Sequence, residues 1–315
     1  MRVIFLGTPD FAVASLEALV LNAQKTKQYE IVAVVTMPDK PAGRGNKIAT
    51  SPVKDCALRH NIPLLQPEKL KSKKFLTKLK SYKADLQIVV AFRMLPESVW
   101  NMPRLGTFNL HGSLLPQYRG AAPINWAIIN GEHETGVSTF FLQHEIDTGK
   151  IIFQYATPIL LEDTLGTVYE KLKNNGALLV IKTLEAIQNG VYPQIPQDLS
   201  QESKPAPKIF HETCEVNWRN LTRLQAHNLV RGLAPYPSAW TKIDGKNYKI
   251  HQTNPNFIIP NQVVAILENA KDYLTDNKSF LAMTTTDGWI AIEQIQAEGK
   301  KAMPIQAFLA GNKFT

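Results

Sequence analysis

The sequence predicts an α/β protein: an open, mostly parallel, Rossmann-like sheet followed by a smaller C-terminal β-barrel of OB-like kind. Three observations carry this. Apolar runs of strand length alternate with helical patterns through the first 190 residues, as repeated βαβ units require. Residues 191–207 are polar, Pro-rich and without periodicity. Beyond them the pattern shortens to alternation, in short segments separated by turn residues. A chain of 315 residues exceeds what one core comfortably supports. Two domains are therefore expected, 1–190 and 208–315, joined by a linker over 191–207.

RVIFL (2–6) reads as a buried strand and GTPDFAVASLEALV (7–20) as a turn into a helix. Thr8 suits the N-cap and Pro9 the first helical position. IVAVVT (31–36), LQIVVAF (86–92) and GTFNLH (106–111) are continuous apolar runs, the kind found in parallel strands covered on both faces. Helices around 52–60 and 70–82 separate them. Residues 121–132 read as a helix. Residues 135–159 read as two strands joined by a turn at Asp147-Thr148-Gly149. A long helix follows from about Thr164 to Gly190, with Asp163 and Thr164 as capping candidates. After the linker come a helix near 221–232 and the strand segments AWTKI, NYKIHQT, VVAIL, FLAMTT and WIAIEQI. Asp244-Gly245 and Asp287-Gly288 mark turns between them, which favours a small barrel.

Composition narrows the function. The net charge of +8 and pI near 9.3 lean towards a polyanionic partner. Residues 208–315 hold 12 Lys and Arg against 9 Asp and Glu, so +5 of the +8 lies before them. RNA contacts in the barrel would be local, with Arg219, Arg223, Arg231, Lys300 and Lys301 as candidates. No run approaches the ~18 apolar residues of a spanning helix, and MRVIFLGTPDF is too short for a signal-peptide core. Cys56 and Cys214 lie far apart without CxxC or metal-ligand spacing, which suits a reducing cytoplasm and no metal. LGTPDFA lacks GxGxxG, and no acid ends the second strand. The nicotinamide reading loses its support. Gly7 serves either a tight turn or a close ligand approach.

The stretch FNLHGSLLPQYRGAAP (108–123) carries the chemistry. Asn109 and His111 are two apart on a strand and share a face. Where the strand breaks into a Gly/Pro-rich loop, an amide and an imidazole project together. A carboxylate from Asp147 beside the imidazole would orient the ring and stabilise positive charge on it. These are parts for acyl transfer to an amine: an oxyanion stabiliser, a proton-handling histidine and an orienting acid. Ser113 lacks the GxSxG elbow, so direct attack by the acceptor amine is preferred over a covalent enzyme intermediate. The loop 36–54 far exceeds the usual ~2–6 residues. It holds Lys40, Arg44, Lys47 and Lys54 against Asp39 alone, the composition of a phosphate-contacting loop. The run 69–83 has seven lysines and no acid and reads as a solvated helix face.

Taken together, GTPDFA (7–12), PDKPAGRG (38–45), SPVK (51–54), HGSLLPxYRGAAPI, ETGV (134–137), IDTG (146–149), EDTxGT (162–167) and KKAM (300–303) make the chain resemble the methionyl-tRNA formyltransferase family. The resemblance spans nearly the whole length. HGSLLP and DTG are shared with other enzymes that take a formyl group from 10-formyltetrahydrofolate. PDKPAGRG and the C-terminal domain are similar to the tRNA-directed branch. The resemblance implies Asn109, His111 and Asp147 as the catalytic set, and Ser113, Leu114, Leu115 and Pro116 as the tetrahydrofolate site. It implies Lys40, Arg44 and Lys47 at the acceptor stem and the barrel on the tRNA body. The implied substrates are 10-formyltetrahydrofolate and methionyl initiator tRNA, with no metal, no membrane and no obligate protein partner. AFRMLP (91–96) departs from the family's AYGxxLP: it is one residue shorter, with Arg93 near the usual glycine. Formyl transfer to a small amine, formyltetrahydrofolate hydrolysis and RNA binding without catalysis are the rival readings.

Overall fold

Strands that are apolar on both faces need cover on both sides, and the first half of the chain supplies it. The computed structural model describes residues 1–42, 47–198, 203–260 and 272–314; the side chains of 40–42 and 47–48 lie outside the description. The chain divides into two units. One comprises Met1–Gly120, Thr135–Pro158 and Tyr169–Pro205; the other comprises Ala121–Glu134, Ile159–Val168 and Ala206–Thr315.

In the first unit the chain runs β1 (Arg2–Gly7), α1 (Asp10–Thr26), β2 (Glu30–Val35) and a hairpin of β3 (Lys40–Ala42) and β4 (Lys47–Ala49). It continues through α2 (Pro52–Arg59), β5 (Leu64–Leu65), α3 (Lys73–Ser81), β6 (Leu86–Val90), α4 (Glu97–Trp100), β7 (Thr107–His111) and β8 (Arg119–Gly120). After α5 (Pro123–Ile129), which falls in the second unit, come β9 (Glu134–Phe141), β10 (Ile151–Pro158) and α6 (Leu165–Asn189). The sheet order is β10-β9-β7-β6-β1-β2-β5. β1, β2, β5, β6 and β7 are parallel, and β9 pairs antiparallel with β7. The mostly parallel sheet expected from the sequence is present.

Both faces are packed. Ile4, Leu6, Val35 and Val89 form one core with Phe75 and Leu79 of α3 and Val99 of α4. On α6, Gly176 sits against Leu110 of β7, Tyr169 meets Phe11 of α1 edge-on at 5.3 Å, and Thr183 Oγ1 lies 2.8 Å from Thr139 Oγ1 of β9. Phe5 and Phe108 are fully buried, each stabilising the fold by roughly 1.5–3 kcal/mol.

The start of α1 differs from expectation. The helix begins at Asp10 with Pro9 in the cap position and no side-chain cap, while the Thr8 hydroxyl is buried without a hydrogen-bond partner. Close packing explains the shift. A Cβ on Gly7 would come within 2.7 Å of Ala12 Cβ and 3.0 Å of Val90 O, so the strand end is pressed onto the helix and the turn falls one residue later. This packing gives Gly7 a structural role: its lack of a side chain serves the junction of strand and helix.

β2 and β6 flank β1 on opposite sides, which places a topological switch point at the carboxyl end of β1. Gly7 is in register with Val90, and Val90 with Leu110. His111 therefore ends its strand on the same edge of the sheet.

The second unit carries β11 (Pro205–Ala206, spanning the division), α7 (Arg223–Leu233), β12 (Ala239–Ile243), β13 (Lys246–Asn254), β14 (Tyr273–Thr275), β15 (Leu281–Thr285), β16 (Gly288–Ala297), β17 (Met303–Pro304) and α8 (Ile305–Gly311). Strands β12 to β17 form one antiparallel sheet in the order β12-β13-β16-β15-β14, with β17 on β16. Tyr273 of β14 donates to both carboxylate oxygens of Asp244 in the β12–β13 turn at 2.9 Å, so the sheet curls into a half-barrel. Val230 and Leu233 of α7 and Phe308 of α8 fill its concave side against Ile250, Ile290 and Ile292. The VVAIL segment lies outside the described residues. α5 packs along α7, with Asn125 Nδ2 donating to Gly232 O at 2.9 Å. No helix among the described residues is long and apolar enough to cross a membrane.

Candidate active site at the carboxyl end of the sheet

The site is built around the break after β7. His111 pairs with Ser138 of β9 across the ladder. Ser138 Oγ donates to Ser113 O (2.6 Å) and accepts from Leu115 N (3.0 Å) and Gln154 Nε2 (2.9 Å). Gln154 Nε2 also reaches Leu115 O at 2.9 Å. Two polar side chains from neighbouring strands thus hold the loop that follows the histidine.

That loop fixes a histidine and a carboxylate close to each other. His111 is buried, and its Nε2 lies 2.8 Å from Tyr118 O. A carbonyl only accepts, so Nε2 carries the proton and Nδ1 is the ring's working atom. Nδ1 stands 3.9 Å from Asp147 Oδ2, an ion-pair distance longer than a hydrogen bond. The same Oδ2 accepts from Gly120 N at 3.2 Å. Asp147 itself adopts φ +55°, a left-handed conformation that Asp tolerates. Its carbonyl is held by Arg119 Nε (3.1 Å) and Gln197 Nε2 (2.8 Å). Gln197 Nε2 also reaches Gly149 O (2.8 Å), and its Oε1 accepts from Arg119 Nη2 (2.6 Å). Gly149 is dictated by crowding: a Cβ there would fall 1.6 Å from Phe141 O.

Asn109 shares the His111 face by strand alternation. It is half-buried, and its amide has no hydrogen-bond partner among the described residues. The structure thus brings His111 and Asp147 together and leaves Asn109 available beside them. The four loop residues divide. Ser113 is fully buried with Oγ donating to Gln117 O at 2.6 Å, and Leu115 packs with Phe140 and Ile151. Their side chains shape the loop from within; Leu114 and Pro116, half-buried, are the ones that can face a ligand directly. Ser113 has no free hydroxyl for nucleophilic attack.

In the 91–96 loop, Arg93 is committed to the segment that follows β5. Its guanidinium donates to Glu68 O (2.9 Å) and to Pro67 O, and burial lowers its pKa from the ordinary value. Met94 of this loop and Ile146 beside Asp147 are exposed.

Lys40 begins β3 and Lys47 begins β4 of the hairpin, but their side chains, and Arg44 entirely, lie outside the described residues. Of the barrel cations, Arg231 is buried, donating to Asn228 Oδ1 (2.8 Å), Leu160 O (3.1 Å) and Asp163 O (3.0 Å). It is a structural residue rather than an RNA contact. Arg219 pairs with Asp272 at 2.6 Å and Arg223 with Asp287 at 3.5 Å. Ligand atoms of Glu17, Cys56 and His60 gather within 4.8 Å of one another. Burial, reinforced by Glu17, pushes the Cys56 thiol up to about 12, while Glu17 pairs with Arg59 (2.7 Å) and His60 (2.6 Å). This is a closed hydrogen-bonded network. A cavity of about 640 Å³ in the second unit, lined by His211, Tyr236, Trp240 and Lys249, holds none of the candidate site residues; the chemistry is better located by the convergence around His111.

Sequence reasoning missed Ser138, Gln154 and Gln197 as positioning residues. Ser138 and Gln154 leave a faint signal, as polar residues within strand patterns. Gln197 leaves none, since it lies in the segment read as linker. That segment is tied down, with Ile195 and Ile151 exchanging backbone hydrogen bonds of 2.8 and 2.9 Å.

The geometry defines a Rossmann-like α/β protein with an Asn–His–Asp group at its strand ends and an antiparallel β-unit appended. Residues 1–184 match the formyl transferase family and residues 208–313 its C-terminal domain. The chain belongs to the formyl transferase family. It is 49% identical to the methionyl-tRNA formyltransferase of Bacteroides fragilis, over 100% of this chain and 96% of that protein. To the methionyl-tRNA formyltransferase of Flavobacterium johnsoniae it is 44% identical, over 100% and 97%. Among solved structures it is similar to the N-formyltransferase of Helicobacter canadensis in complex with folinic acid and dTDP-3-aminofucose. The TM-score is 0.63 at 22% identity, covering 93% of this chain and 98% of that one. HypX of Aquifex aeolicus in complex with tetrahydrofolic acid gives a TM-score of 0.62 at 21% identity, covering 99% of this chain. The chain spans about half the length of HypX, 47%. At these identities the likeness to both structures is one of fold.

Proposed function

We propose that this chain transfers the formyl group of 10-formyltetrahydrofolate to the α-amino group of methionyl initiator tRNA, as a cytoplasmic enzyme of translation initiation. One observation carries the reading: the relation to methionyl-tRNA formyltransferases, at 49% identity, runs through both the active-site half and the C-terminal domain. The strand-end geometry supports it. An amide without a hydrogen-bond partner among the described residues, a histidine with one committed nitrogen and a carboxylate 3.9 Å away provide for acyl transfer without a protein nucleophile.

10-Formyltetrahydrofolate supplies the formyl group. Leu114 and Pro116 suit its ring system; Ser113 and Leu115 hold the loop from beneath. The acceptor amine, as free base, forms a bond to the formyl carbon while the carbon–nitrogen bond to the folate breaks. Asn109 donates to the formyl oxygen as negative charge develops there. His111 has Nε2–H committed to Tyr118 O, so when protonated it reaches that oxygen through Nδ1–H, with Asp147 stabilising the imidazolium. Asp147 takes the amine proton, directly or through water, and the folate nitrogen is protonated on leaving. Lys40, Arg44 and Lys47 contact acceptor-stem phosphates, and the C-terminal unit contacts the tRNA body.

The test is formyl transfer from 10-formyltetrahydrofolate to methionyl initiator tRNA, with methionyl elongator tRNA and a dTDP-aminosugar alongside. Transfer to initiator tRNA in preference to both is expected. Formate release without N-formylation, or preference for the aminosugar, would overturn the assignment.

A further inference from the structure

The lysine-rich stretch 69–83 carries seven positive charges and no acid in a chain whose whole formal charge is +8. Solvation alone accounts for long side chains on a helix face, but the structure adds three facts. First, Lys69, Lys71, Lys73, Lys74, Lys78, Lys80 and Lys83 are all exposed, and none makes an ion pair among the described residues. Phe75 and Leu79 anchor the opposite side of α3 in the core. At ~100° per residue, Lys73, Lys74, Lys78 and Lys80 surround a strip formed by Thr77 and Ser81. The outer face is therefore a row of cations around two hydroxyls, with Lys78 Nζ held 5.2 Å from the Tyr82 ring.

Second, Lys73 and Lys74 oppose the helix's own field, whereas Lys78 and Lys80 in the last turn accord with it. The first turn holds Lys73 and Lys74 with no acid, at the end where the macrodipole favours anions. A bound polyanion would offset the charge of that first turn. Third, the segment that leads into this helix is tied to the residues just before the basic hairpin. Gln66 Nε2 donates to Met37 O (2.9 Å) and Asp39 Oδ1 (2.8 Å), and Arg93 ties Pro67 and Glu68 to the loop after β6. The segment leading into Lys69 is thus fastened between two loops at the carboxyl edge of the sheet.

We propose that the exposed face of α3, with Lys73, Lys74, Lys78 and Lys80 around Thr77 and Ser81, is a docking surface for the phosphodiester backbone of RNA. It extends the substrate footprint past the hairpin, and this inference rests on the tRNA reading of the preceding section. Lysines here act as point charges on phosphates, so the surface contributes affinity and encounter rate without base specificity.

The experiment compares the full chain with a Lys73→Gln/Lys74→Gln/Lys78→Gln/Lys80→Gln variant. Readouts are tRNA binding across salt concentrations, kcat at saturating methionyl initiator tRNA, thermal midpoint, and co-sedimentation with phosphatidylserine vesicles. Removing two to four phosphate contacts reduces the slope of log K against log salt by roughly 2–4, with binding weakened on the order of tenfold or more at low salt. The thermal midpoint and kcat at saturation stay near those of the parent. An unchanged salt slope overturns the proposal, as does loss of vesicle binding with tRNA binding intact. If the parent binds tRNA but transfers no formyl group, the function falls and the RNA surface stands. If it transfers normally with unchanged slopes, only the surface falls.

Discussion

Gly149→Ala tests the idea that the DTG turn exists to place Asp147. A Cβ at this position would fall 1.6 Å from Phe141 O. Restoring ordinary contact requires a movement of roughly 2 Å. Phe141 cannot supply it cheaply: it pairs with Phe108 in the sheet, its N–H bonds to Lys150 O, and the next residue bonds to Thr107 O. The turn must yield instead, carrying Asp147 away from His111 Nδ1 and loosening the Gln197 bonds to Asp147 O and Gly149 O. A displacement of about 1 Å at a reacting group typically costs ~10²-fold in rate. The expected variant has kcat lowered about 10²-fold or more, a lower thermal midpoint and a tRNA dissociation constant close to the parent's. Steady-state formyl transfer, calorimetry and filter binding measure the three. A variant that folds, binds tRNA and turns over within about threefold of the parent, on the same ~10² expectation, would refute the role given to the turn.

Asn109→Ala removes the proposed oxyanion donor and should lower kcat by ~10²–10³ with little change in tRNA affinity; near-normal turnover in the purified variant would remove Asn109 from the site. Asp276 makes a prediction about acid stability. Burial alone would raise its pKa, but hydrogen bonds from Ser279 Oγ and from the N–H groups of Lys278, Ser279 and Phe280 outweigh it, holding the carboxyl at about 2 against an ordinary 3.8. A depressed folded-state value means that the stabilisation is present above the unfolded pKa and lost as pH falls through the folded one. Asp276→Ala should therefore melt lower than the parent at neutral pH, with the gap closing between 3.8 and about 2. A gap that stays constant across that window would contradict the role of these hydrogen bonds.

Much of the architecture was legible because its causes are local. Continuous apolar runs require a covered parallel sheet, and each such run became a central strand of it. Alternation and turn residues required an antiparallel sheet after residue 207, and it is present. The two-residue β5 and the four-residue α4 were not read, since elements so short have no usable period, and the seven-residue α8 was not read either. α5 has a helical pattern, but nothing in that pattern says that Asn125 will bond to Gly232.

The site divides the same way. The sequence by itself determined that an amide and an imidazole leave one strand face at 109 and 111, that a glycine-containing acidic turn follows β9, and that the charge concentrates in the hairpin loop and in α3. These follow from the fixed two-residue period of a strand and from composition. Only the tertiary structure decided which imidazole nitrogen is available, because that depends on the Tyr118 carbonyl curling back over the ring. It also decided that Gly120 and Gln197, from distant parts of the chain, hold the carboxylate of Asp147 and its turn, and that Arg231 is spent inside the second unit. Hydrogen bonds across long sequence separations leave no periodicity, so only the folded chain reveals them.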